Sequence, residues 1–155
     1  MTTTNSSWLT STNEEYYEVP LKSLNSPVVI PFSITIADGS MDAIGDVVNI
    51  YKLPQTAKLG LIYFELADHD DGGQSDIDFQ LTETTGGTTT TTTLYNGATL
   101  GQTAVTGQYI LPAVSSSYLH EGIPTDDGTA TLRIYQNATV TTDKATTLKG
   151  WFSYL

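Results

Sequence analysis

The sequence predicts an all-β protein, an antiparallel sandwich of about eight strands preceded by an extended N-terminal arm. Three observations lead there. Several segments alternate apolar and polar residues with a period of two, as half-buried strands do. Gly, Pro, Asn and Asp punctuate the chain between those segments. Threonine is abundant (27 of 155 residues), and its branched side chain suits a pleated surface.

Residues 1–24 are polar and rich in Ser, Thr and Asn, so they read as an arm with no core of its own; residues 25–155 form the sandwich domain. Val28, Ile30, Phe32, Ile34 and Ile36 fall on one face of the first long strand. Pro31 interrupts it without an N–H to donate, which places this strand at a sheet edge or at a bulge. Residues 40–46 read as a loop or one helical turn, and Val47 to Leu53 as the next strand, stopped by Pro54.

Lys58 to Ala67 is apolar on both faces, with Leu59, Leu61 and Tyr63 on one and Ile62, Phe64 and Leu66 on the other. A strand of that kind is covered on both sides, within the fold or by a neighbouring subunit. Asp68 to Ser75 reads as a turn, and Asp76 to Leu81 returns with Ile77, Phe79 and Leu81 inward. After Gly86-Gly87 come six threonines, of which the second half is expected to pair as a strand leading into Leu94-Tyr95. A short helix is expected within 98–106, a strand over Gln108 to Leu111, and mostly loop over 113–128. Thr129 to Gln136 alternates well, and Thr146 to Leu155 closes the fold with Phe152 and Tyr154 on one face and Trp151 on the other. Eight antiparallel strands without the Cys–Trp–Cys pattern of an immunoglobulin domain fit a jelly roll.

Composition narrows the function. Seventeen acids against six bases give a net charge of −11, and no basic cluster exists to meet a phosphate backbone or an anionic membrane. The expected partners therefore include neither nucleic acid nor membrane; an acidic exterior steers towards a basic protein surface. Without cysteine there is neither a disulfide nor a thiol nucleophile. The N-terminus lacks the basic-then-apolar pattern of a secretion signal, and no apolar run approaches a membrane span.

The segment Asn49 to Leu81 combines an Ile-Tyr-Lys-Leu-Pro-x-x-Ala-Lys step, a long apolar strand and an Asp-Gly turn. Together these resemble small structural proteins of tailed bacteriophage virions, several of which decorate or cement the outside of the capsid. The resemblance implies a virion protein made in the host cytoplasm, a homotrimer, and the major capsid protein as partner. Two alternatives stay open: a carbohydrate- or receptor-binding module, and another virion position such as head fibre, neck or tail.

One constellation invites a chemical reading. Asp68, Asp70, Asp71 and Asp76 offer oxygens to a calcium ion, with Asp78 close by, yet no acid occupies the closing position of an EF-hand loop. A solvated hairpin turn is the preferred reading, with no metal and no cofactor expected. Adjacent acids on a turn do not supply the separated carboxylates of a glycosidase. His69 and His120 read as surface or loop residues, and no nucleophile elbow accompanies the serines. No catalytic residue is expected.

The aromatics suggest contact instead. Trp8, Tyr16 and Tyr17 lie in an arm that cannot bury them, and Trp151 faces away from Phe152. Trp and Tyr are favoured anchors of protein interfaces. They either reach a neighbouring subunit or the capsid, or the arm folds back over its own sandwich.

Overall fold

The structure is a computed structural model and describes residues 3–5, 27–53, 57, 59–110 and 129–154. The alternating segments form β2 (Val28–Ile36), β3 (Val47–Leu53), β4 (Leu59–Leu66) and β5 (Ile77–Thr85). They continue as β6 (Thr88–Tyr95), β7 (Val105–Ile110), β8 (Thr129–Gln136) and β9 (Thr146–Tyr154), all preceded by a three-residue β1 (Thr3–Asn5). One sheet runs β1-β3-β8-β5-β6 and the other β2-β9-β4-β7.

The pairings reveal the architecture. β2 joins β9, β3 joins β8, β4 joins β7 and β5 joins β6, each antiparallel. These are the nested pairs of one long hairpin, folded at β5–β6 and rolled so that successive pairs alternate between the two sheets. That is a jelly roll. β1 adds to the edge of β3 in parallel, so part of the expected arm extends the sheet. Trp8, Tyr16 and Tyr17 lie outside the described residues, as does His120 in the 113–128 loop.

The core lies between the sheets. Phe32, Ile34, Ile62, Phe64, Leu148 and Phe152 project from one sheet towards Val48, Tyr51, Phe79, Leu81, Leu132 and Ile134 of the other, all buried. Phe64 meets Phe79 with ring centroids 4.5 Å apart, and Tyr51 meets Phe152 at 5.1 Å. Gly150 sits on the inner face of β9, where a Cβ would collide with the Tyr63 carbonyl oxygen and would lie 2.9 Å from Phe64 Cα. The two strands can approach this closely only because that side chain is missing.

Several expectations change. The Gly86-Gly87 turn has φ of 57° and 79°, the left-handed pair of a two-residue hairpin, so the threonine run Thr88–Thr93 pairs along its whole length rather than in its second half. Residues 98–103 form turns, not a helix, and β7 begins at Val105. Leu59 is buried instead of sharing the outer face with Leu61 and Tyr63, because the β4–β9 register shifts between Leu59 and Ile62. Glu83 falls in the inward phase of β5, and its Oε1 has no hydrogen-bond partner among the described residues.

Candidate interaction face and the acidic turn

Strand register assembles an aromatic row on the outer face of the four-stranded sheet. Pro31 of β2 pairs with Trp151 of β9, Trp151 with Tyr63 of β4, and Tyr63 with Tyr109 of β7. All four residues are in the outward phase, and Pro31 lies on an edge strand as its missing donor requires. Trp151 stacks on Tyr63 at 5.9 Å with planes 14° apart, while Tyr109 closes on Tyr63 at 5.0 Å and on Trp151 edge-on at 6.4 Å. Tyr109 remains 54% exposed, and Val29, one step along β2 from Pro31's own row, is 55% exposed.

A charged row borders the rings. Lys149 pairs with Glu65 at 2.9 Å, and the Tyr63 hydroxyl donates to Glu65 Oε1 at 2.6 Å. The Lys149 and Tyr63 bonds hold the Glu65 carboxyl below its ordinary pKa, and the bond to Glu65 raises that of Tyr63. The outer face of the five-stranded sheet is built differently. There Arg133 donates twice to Gln80 Oε1, at 2.9 and 3.1 Å, and lies 5.8 Å over the Tyr135 ring.

Trp151 therefore takes the outward position expected of it, and Tyr63 and Tyr109 join it. Each of the three stands directly beside a fully or nearly buried residue, namely Phe64, Ile110 or Phe152. An aromatic in the outward phase of a strand whose inward phase is already apolar is the sequence signal for such a face.

The acidic turn is closed on itself. Asp70 is 1% exposed, and its two oxygens accept from Gly72 N (2.8 Å), Ser75 N (2.7 Å), Thr142 Oγ1 (2.7 Å) and Gln74 N. Burial alone would raise its pKa, but those four donors outweigh it and hold the carboxyl at about 2. Lys144 bridges Asp68, at 2.8 Å, and Asp71. Among the described residues no three acids or histidines converge in a way that could hold a metal ion. Asp68, Asp70 and Asp71 thus take their donors from the protein, whereas Asp76 Oδ1 is buried and has no hydrogen-bond partner among the described residues.

His69 lies in the loop after β4, as one half of the expectation has it, but it is fully buried rather than at the surface. Its Nδ1 lies 3.0 Å from the Lys144 carbonyl oxygen and its Nε2 3.2 Å from that of Met41. Gln136 donates to the same Met41 carbonyl at 2.9 Å, and Ser75 Oγ donates to Leu100 O at 3.0 Å. These buried polar side chains tie the loops at one end of the sandwich together.

No family model matches the chain, and no curated protein matches it in sequence. Solved structures do. A chain in the capsid of Ralstonia phage GP4 has a TM-score of 0.67 to this one, over 86% of each chain, at 19% identity. This chain has a fold found in phage capsids. A chain in the capsid asymmetric unit of cyanophage Pam1 gives 0.56, over 83% of this chain and 84% of that one, at 18% identity. The likeness spans nearly the whole length of all three chains and is one of architecture.

Proposed function

We propose that this chain is a non-enzymatic structural protein of a phage virion, and within the virion a decoration or cement protein on the outer capsid surface. The observation that carries the reading is the near full-length match to a chain in the GP4 capsid, 86% in both directions. The aromatic row supplies the contact. Rings that stand together on a rigid sheet, half-buried at Tyr63 and Trp151 and exposed at Tyr109, lose little conformational freedom on binding and bury large areas. A trimer bridging neighbouring major capsid proteins would multiply such contacts, so that modest individual affinities add through multivalency. The net charge of −11 favours a basic docking surface on the shell. Residues 1–24 are the proposed second contact, reaching a neighbour from the edge of β3.

A carbohydrate-binding module that used calcium at the acidic turn is not favoured, because Asp68, Asp70 and Asp71 accept from protein donors or pair with Lys144. Co-sedimentation with expanded shells lacking this protein tests the proposal. Saturable binding in whole-number ratio to the major capsid protein is the expected result. Failure to bind any shell, with the protein folded, would move the assignment to a fibre, neck or tail position.

A further inference from the structure

We propose that the free edge of β6 is a strand-addition surface whose occupant is β6 of a second copy of this chain, paired antiparallel about a twofold axis. The inference goes beyond shell binding and does not depend on it.

Among the described residues the two sheets end in four edge strands, and three carry a recognised protection. β2 has Pro31, which offers no donor. β7 has Gly107 at φ 73° and a register shift against β4, which break a regular edge. β1 is three residues long. β6 has none of these: Thr88–Thr93 runs in unbroken register with β5, contains neither charge nor proline, and is mostly exposed.

The direction of its free groups follows from the turn. A two-residue loop closes Thr85 and Thr88 as a hydrogen-bonded pair, and bonded and non-bonded pairs alternate along an antiparallel ladder. Thr88, Thr90 and Thr92 therefore direct their backbone groups to β5, and Thr89, Thr91 and Thr93 direct theirs outward. Centring a twofold on Thr91 matches Thr89 with Thr93 and Thr91 with itself, which engages all three outward residues.

Two features select a second copy as the occupant. Threonine pairs with threonine across strands, and this hairpin already contains such a pair, Thr84 Oγ1 to Thr89 Oγ1 at 3.0 Å. With a net charge of −11, copies of the chain repel one another over most of their surfaces, but the β6 run is neutral and the nearest acid on β5, Glu83, points inward.

Residue-resolved amide exchange across a concentration series, with mass followed by light scattering, tests this on the protein alone. The expected result is a doubling of mass from a monomer, or at least a doubling from a trimer with its three β6 edges, accompanied by at least about tenfold slower exchange at Thr89, Thr91 and Thr93. Thr88, Thr90 and Thr92 should be slow throughout. Thr91→Pro, which removes only an outward-facing N–H, should abolish the doubling. Mass that never doubles, doubling with Thr89, Thr91 and Thr93 still in fast exchange, or a folded Thr91→Pro variant that doubles as the parent does would overturn the proposal. Protection at β6 that arises only on mixing with shell protein would overturn the choice of occupant. Should Thr91→Pro fail to fold, the exchange pattern of the parent chain decides alone.

Discussion

The acidic turn and the aromatic row are the two places where residues of functional type gather, and they are opposite in kind. In the turn, Asp70 accepts four hydrogen bonds and His69 is enclosed between two carbonyls. On the sheet, Tyr63, Tyr109 and Trp151 touch one another and leave Tyr109 more than half exposed. Polar groups satisfied from within hold a fold together. Apolar rings left uncovered on a rigid surface are available to a partner. Chemistry-bearing residue types thus mark the scaffold here, and the plainer aromatics form the proposed contact.

The largest effect should come from breaking the row from beneath. Gly150→Ala places a methyl group against the backbone of Tyr63 and Phe64, and overpacking of this kind costs about 3 kcal/mol. Chemical denaturation should show that loss, with shell binding weakened as well because β9 carries Trp151.

Acid should act on the turn and spare the row. The Asp70 carboxyl titrates at about 2 when folded, below its ordinary 3.8, so it adds stability that is fully present above the higher value and is lost as pH falls through the lower one. The difference amounts to about 2 kcal/mol. Asp70→Asn should lose a similar amount at neutral pH and flatten the acid limb of a stability-versus-pH curve; an unchanged acid limb would contradict the role given to Asp70.

Trp151→Ala should do the reverse of Asp70→Asn. Removing an interface anchor costs about 2 kcal/mol, roughly a 30-fold loss in shell affinity, and the unfolding midpoint should move far less than for Gly150→Ala. Tyr109→Ala should follow with about fivefold. The smallest effect is expected at Lys144→Met, which breaks two exposed ion pairs in the turn and should leave shell affinity unchanged. If it weakened binding as much as Trp151→Ala, the division between scaffold and contact would be wrong.

Most strands were legible in the sequence because alternation records which face is buried. β3 and β8 match their expected bounds, and the edge position of β2 is one of the two readings that Pro31 allowed. Reading failed where periodicity is silent or interrupted. A run of identical threonines has no phase, so only the Gly-Gly turn marks where β6 begins. A register shift reverses the phase at Leu59 without any local signal. The burial of His69 depends on Met41 and Lys144, which lie 28 and 75 residues away, and nothing near His69 in the chain announces them. The outward setting of Trp151 was readable from β9 alone. Its union with Tyr63 and Tyr109 was not, because three separate strands must first find their register.

Electron cryomicroscopy of expanded shells decorated with this chain would show which of the two regions meets the shell. Trp151, Tyr63 and Tyr109 should be buried against a neighbouring molecule in the shell, while the 68–76 turn stays free of it. Decorated shells in which the aromatic row faces solvent and the acidic turn makes the contact would contradict that assignment.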